Sequence, residues 1–393
     1  MEERALAHTL RRAVGGCIMA LVPVTGAMAG ITVYEKDATK LEIGARIQIQ
    51  YLQAEDADGD HADDLFFRRL RPYIAGTVTE DWFGKLELDF GESLDSDDSQ
   101  IKDAFVEYRG WEYVKVTIGN SKTPFSREFM TSSGSQQLIE RTIVGDHNFG
   151  SPDRQLGLRA EGKNSSEKFG WFAAFGQERH DPNADRMDFD SPANDESDWN
   201  EGRVYAARVD FHPLGAMPYD QADFHTDTWK FTVSGAAYRW DNDGDRNTLT
   251  DPNTGLSIDP EAVDLDEATG YEVSAGVRGH GVSVDLQANK IMGETVDPTF
   301  TGGLYEDGET DLDQMAIEGG YTFSNNHLEL VAGWDSQDAS NYEAEMERTY
   351  FGVNVYVNQH KTKFQGTWTM VDNFLGVDGD DRDLLQVQFQ FQF

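Results

Sequence analysis

One cysteine, Cys17, occurs in 393 residues, so the chain has no disulfide framework, no thiolate metal site and no cysteine nucleophile beyond that position. Beyond residue 29 no apolar run approaches the roughly 18 to 20 residues of a membrane-spanning helix. Basic residues are also scarce. Thirty-three lysines and arginines face 71 aspartates and glutamates, a net charge of −38, and a chain this acidic does not hold nucleic acid by its phosphates. Catalytic motifs are missing as well: there is no G-x-S-x-G or H-E-x-x-H, and His147, His180, His212 and His327 have no nucleophile motif beside them. No cofactor motif is present, and neither a metal centre nor an enzyme is expected.

The first thirty residues have the three parts of a secretory signal. Arg4, Arg11 and Arg12 form a basic start, "AVGGCIMALVPVTG" is a short apolar stretch, and Ala27-Met28-Ala29 is an A-x-A cleavage site. The expected division is a signal peptide over 1–29 and one domain over 30–393. Cleavage near Ala29 would remove Cys17 and leave the mature chain one charge more negative.

Strict alternation is what the rest of the chain has in quantity. The C-terminal "QVQFQFQF" puts Leu385, Val387, Phe389, Phe391 and Phe393 on one face of a strand and glutamines on the other. "KLEIGARIQIQYL" repeats the pattern from Leu41 to Tyr51, and "GKLELDF" repeats it with Leu86, Leu88 and Phe90. Sixteen such segments can be counted, most about the length of a tilted membrane strand. The apolar faces would meet lipid and the glutamines a wet lumen, with closure satisfying every backbone hydrogen bond.

Connections alternate too. Short ones centre on "TED", "GWE", "EGKNSSEK", "GHG", "SNN" and "NQHK"; long ones span 54–65, 91–100, 122–154, 177–202, 241–268, 292–313, 335–347 and 372–381. One connection breaks the rule: "HPLGAMPYDQADFHTDT", 212–228, should be short and is long. This predicts an all-β fold, a transmembrane antiparallel barrel of 16 strands with short periplasmic turns and long extracellular loops, in the outer membrane of a Gram-negative bacterium. Trp82, Trp111, Tyr113, Trp171, Trp229, Trp240, Trp334 and Phe393 fall near strand ends, where interfacial aromatic girdles sit. Phe393 resembles the terminal signature that such barrels present to their assembly machinery.

Residues 66 to 143 carry a more specific likeness. "FFRRLRPYIAGTVTEDWFGKLELDFGE", "IKDAFVEYRG" and "VTIGNSKTPFSREFMTSSGSQQLIERT" resemble the phosphate-selective porin O and P family, and "NEGRVYAARVDFHPLG" is compatible with it. The resemblance implies a homotrimeric porin whose third loop, here from Lys122 to about Asp153, folds into the lumen and narrows it. It also implies small anions such as phosphate as the solutes, passing without a cofactor. By that match Lys122, Arg127 and Arg141 in the loop, with Arg69, Arg71 and Lys115 on nearby walls, are the candidates for ion contact. Alternation points Arg46, Arg109, Arg159, Arg278, Asp103 and Glu107 into the same lumen.

The acidity departs from that family's pattern. Asp56, Asp58, Asp60, Asp63 and Asp64 crowd the first loop, Asp241, Asp243, Asp245, Asp251 and Asp259 the fifth, and Glu294, Asp297, Glu306, Asp307 and Glu309 the sixth. Such loops would repel phosphate at low salt, or serve as a solvated surface toward lipopolysaccharide and its divalent cations. A general or cation-preferring pore is therefore the alternative, and a non-conducting structural or adhesive barrel a further one. "DADGDH" and "DNDGDR" have the D-x-D-x-D spacing of a calcium loop but lack its glycine and its closing glutamate, so neither is an EF-hand.

Overall fold

The computed structural model describes residues 30–55, 57, 59, 61–91, 100–194, 201–242, 244 and 263–393. The expected signal segment, Asp56, Asp58 and Asp60, and Asp243, Asp245, Asp251 and Asp259 lie outside them.

Alternation becomes strand along the whole described chain. The order is β1 (Ile31–Lys36), β2 (Thr39–Glu55), β3 (His61–Thr77), β4 (Trp82–Asp89), β5 (Gln100–Tyr108), β6 (Val114–Lys122), α1 (Arg127–Met130), β7 (Arg154–Lys163), β8 (Phe169–Asp181), β9 (Asp188–Asp190) and β10 (Glu201–Phe211). It continues with β11 (Lys230–Asn242), β12 (Leu265–Gly279), β13 (Val282–Thr295), β14 (Glu309–Thr322), β15 (Leu328–Asp338), β16 (Met346–Asn358), β17 (Thr362–Asp372) and β18 (Arg382–Gln392). Sixteen of these, β2 to β8 and β10 to β18, pair antiparallel in sequence and close where β18 meets β2, with Gln388 opposite Gln50. Closure leaves no edge among the barrel strands, which is the condition for spanning hydrocarbon. The remaining two are accessory: β1 forms a hairpin with the start of β2, and β9 pairs with the end of β8.

The faces follow the alternation. On β18, Val387 and Phe391 are 46% and 40% exposed, while Gln388 and Gln390 are 1% and 0% exposed. Trp82, Trp111, Tyr113, Trp171 and Trp229 are exposed, as a girdle requires. Trp240 is a correction: it lies at 0% exposure inside the barrel, its Nε1 donating to the Glu178 carbonyl at 2.8 Å. It shares parity with the inward Thr232, Ser234 and Tyr238, and in a strand parity decides the face whatever the distance from the end.

The glutamines of β18 are the second correction. Gln388 and Gln390 do not face water, because the lumen in front of them is filled, whereas Gln386 and Gln392 line open space. On the side of β10 to β14, Phe125, Met187, Phe189, Trp240, Leu265, Ile291, Tyr305 and Leu312 form a dry core toward the outer end of the barrel. On the side of β16 to β18 the third loop lies against the wall. A cavity in the lumen runs along β2 to β8 and is bordered on its other flank by Arg348, Tyr350, Thr369 and Gln386 of β16 to β18.

Candidate functional site: a charged path along one wall

A cavity of about 990 Å³ runs between the third loop and the wall of β2 to β8. Its lining holds fifteen lysines and arginines against twelve aspartates and glutamates, in a chain that is strongly acidic as a whole. The inversion has a structural cause. Alternation puts basic residues on inward positions of these strands, while much of the carboxylate excess falls in the loops.

Ion pairs organise most of this wall. Arg71 binds Asp89 at 2.5 Å, Arg154 binds both Asp103 and Asp153 at 3.0 and 2.9 Å, Lys115 and Arg159 share Glu161 at 3.1 and 3.2 Å, and Arg109 pairs with Glu107. Such pairs hold shape and set a transverse field. Four lining cations have no carboxylate within 4.0 Å among the described residues: Arg46, Lys102, Lys122 and Arg141. Arg46 donates to Ser133 Oγ at 2.7 Å and Ser132 Oγ at 3.1 Å, Arg141 donates to the Thr131 carbonyl at 3.2 Å, and the Lys102 ammonium has no hydrogen-bond partner among the described residues.

Two cross-strand registers put like charges opposite each other, Arg46 beside Arg71 and Lys122 beside Arg154. Such pairs are unfavourable to folding, so the concentration of positive charge here is not a device for stability.

The loop between β6 and β7 is held by its carbonyls. Lys122 Nζ donates to three of them in turn, Phe129, Met130 at 3.3 Å and Thr131 at 3.1 Å. Ser132 O accepts from Ser135 N at 2.7 Å, Ser133 O from Gln48 at 3.3 Å, and Gly134 O from Gln390 at 2.9 Å. Ser135 O accepts from Gln221 N at 3.0 Å, Gln136 O from Lys363 at 2.6 Å, and Gln137 O from Asn354 at 2.8 Å and Gln365 at 3.1 Å. All nine consecutive carbonyls, 129 to 137, are therefore bound. The inward glutamines and asparagine of β2, β16, β17 and β18 form a platform that turns loop carbonyls toward these strands, while Ser132, Ser133 and Ser135 line the cavity.

At the other edge of the loop, Glu140 accepts from Arg68 through both oxygens, at 2.7 and 3.1 Å, and sits 3.4 Å from Arg69. Burial pushes its carboxyl up, but the Arg68 and Arg69 guanidiniums override burial and hold it down at about 2. A carboxyl lowered on folding contributes stability that is complete above its ordinary value and is lost as the pH falls through the lowered one. The anchor should therefore hold down to about pH 4 and release toward pH 2. Channel current recorded from pH 7 to 2 is expected to become noisier in that window, and Glu140→Gln should show the noise already at pH 7.

Ten of the twelve residues picked from the sequence line the cavity: Arg46, Arg69, Arg71, Asp103, Glu107, Arg109, Lys115, Lys122, Arg141 and Arg159. Arg127 and Arg278 do not. Both bind Asp285 in the rear of the barrel, Arg127 at 3.0 Å, and Arg127 also lies 5.4 Å from the Tyr219 ring. Arg68 and Lys102 are lining cations that alternation misplaces. Counted from Arg69 or Asp103 each belongs on the lipid face, but each sits in a β-bulge, where register skips it and a second consecutive side chain turns inward. The available signal was the charge itself, since a bare cation facing lipid costs about 2 to 4 kcal/mol at mid-membrane.

A model of the family described as phosphate-selective porin O and P matches residues 41–322. Porin O of Pseudomonas aeruginosa is 28% identical over 107 residues, which cover 26% of this chain and 24% of that protein. The matched regions span less than a third of the length of the curated relatives. Among solved structures, in-vitro folded OmpT in its trimer form, an outer membrane protein of Vibrio cholerae, superposes with a TM-score of 0.59 at 12% identity, covering 91% of this chain and 100% of that one. The anion-selective porin from Comamonas acidovorans superposes at 0.56 and 10% identity, covering 90% of this chain and 100% of that one. At such identities the likeness is one of fold.

Proposed function

The chain belongs to the phosphate-selective porin O and P family, and on that premise we propose that it is a passive outer-membrane channel preferring small anions, phosphate among them. The observation that carries the reading is the charge inversion: a chain of net −38 lines its open path with more cations than anions, four of them free of carboxylates among the described residues. Fixed positive charge in a low-dielectric cleft concentrates anions. Arg46, Lys102 and Arg141 are the groups an anion would meet first, with the hydroxyls of Ser132 and Ser133 as neutral partners. Lys122 serves the path chiefly by holding the loop. The protein would act as a homotrimer after signal cleavage near Ala29, assembled through Phe393 and surrounded by lipopolysaccharide, with no catalytic step.

Asp146, Asp181, Asp188 and Asp190 at the outer part of the path favour the second reading, a cation-preferring or general pore. Reversal potential across a potassium chloride gradient, measured on refolded protein in a planar bilayer, separates the two. Anion preference with chloride current reduced by added phosphate is expected. Cation preference untouched by phosphate would overturn the proposal in favour of the outer acids, and a folded barrel carrying no current would leave a structural or adhesive role.

A further inference from the structure

The connection 212–228 is the exception to the alternation of short and long, and its extra residues do not hang below the barrel. They turn up into its rear half, where Met217, Gln221, Ala222 and Asp223 are buried. Ala222 adopts φ 63°, a conformation unusual for a residue with a side chain, at the tip of this insertion.

Gln221 uses every polar group it has. Its N–H donates to Ser135 O at 3.0 Å, its Oε1 accepts from Gln137 N–H at 2.8 Å, its carbonyl accepts from His360 Nε2 at 2.7 Å, and its Nε2 donates to Glu318. Neighbouring residues tie the tip to the wall. The Asp220 carbonyl accepts from Arg278 at 2.8 Å, the Ala222 N–H donates to Ser283 Oγ at 3.1 Å, and the Phe224 ring packs edge-on against Tyr356 at 4.9 Å. The turn thus meets the loop at Ser135 and Gln137, directly behind the stretch whose serines face the path.

We infer that this periplasmic turn is a plug that shuts the rear half of the barrel and sets how far the third loop stands from the conducting wall, with Gln221 as the positioning residue between them. The inference rests on the reading of the protein as a pore. The rear lumen below the dry core is bordered by Arg278 of β12, Ser283 of β13 and Glu318 of β14, each of which the turn touches. The turn fills that space from beneath while the loop fills it from above, and Gln221 is where the two are joined.

The test replaces 217–224 with a short Gly-Ser linker in the full chain and records single-channel current in potassium chloride without phosphate. Barrels are first checked for heat-modifiable gel migration. Conductance is expected to rise severalfold, with anion preference falling toward none. Gln221→Glu alone should raise conductance, because it faces Glu318 with a second carboxylate, whereas Gln221→Glu combined with Glu318→Gln restores an amide-to-carboxylate hydrogen bond and wild-type current. General destabilisation would not be cured by that exchange. Folded turn-shortened barrels with wild-type conductance and selectivity would overturn the inference, as would silence of both proteins. A silent wild type beside a conducting shortened variant would instead overturn the pore reading and support the plug.

Discussion

Replacing Lys122 with alanine is expected to free the third loop and raise single-channel conductance severalfold. The ammonium is the shared donor for the carbonyls of Phe129, Met130 and Thr131 and lies 4.8 Å from the Phe129 ring. Its loss leaves the Phe129 and Met130 carbonyls without their side-chain donor and Thr131 O with Arg141 alone, at the point where the loop leaves β6. Hydrogen bonds to a charged donor contribute about 1.5 to 3 kcal/mol, so roughly 3 kcal/mol or more of loop anchorage disappears. Lys122→Arg keeps the charge but not the anchor, because a planar fork cannot converge on three carbonyls as a rotating ammonium does. Both variants should therefore conduct more than wild type, while the barrel strands, whose register Lys122 shares only at the end of β6, still migrate as folded on unheated gels. Unchanged conductance in Lys122→Ala would mean that the glutamine platform and Gln221 hold the loop without it.

Reversing Arg46 and Lys102 together to glutamate should abolish anion preference and move the reversal potential toward cations. The lining would pass from fifteen bases against twelve acids to thirteen against fourteen. Each reversal changes the interaction with a passing anion by about 1 kcal/mol or more at contact distance, even in water, and by more in a narrow cleft. Neither side chain is in an ion pair with a carboxylate among the described residues, so the wall's network of Arg71 with Asp89 and Arg154 with Asp103 survives the change. Arg127→Glu is the contrasting variant. Its guanidinium is committed to Asp285 in the rear of the barrel, so the expected effect is on folding yield rather than on ion preference. Anion preference that persists in the double variant would place the selecting charge on Arg69, Arg71 and Arg141 instead.

The amino-acid sequence by itself determined the barrel, because its information is local. A strand's face is set by parity, so Val387 and Phe391 face outward and Gln388 and Gln390 inward wherever β18 lies. The alternation of short and long connections likewise marks the two ends, and 212–228 stands out as irregular by its length alone. What parity cannot say is what an inward side chain meets. Gln388 and Gln390 face inward as expected, yet Gln390 binds the Gly134 carbonyl of the loop and Gln388 the Gln365 side chain rather than water, and Arg127 sits on the third loop as expected, yet points away from the path.

Those outcomes depend on residues 80 to more than 250 positions apart meeting across the lumen, as Gly134 meets Gln390. Only the tertiary structure decided them. The same is true of Arg68 and Lys102, whose inward turn comes from bulges set by pairing with the neighbouring strand. Each strand carries its own two-faced pattern, but the division of the enclosed space between loop, turn and ions is a competition among distant segments for the same hydrogen-bond donors.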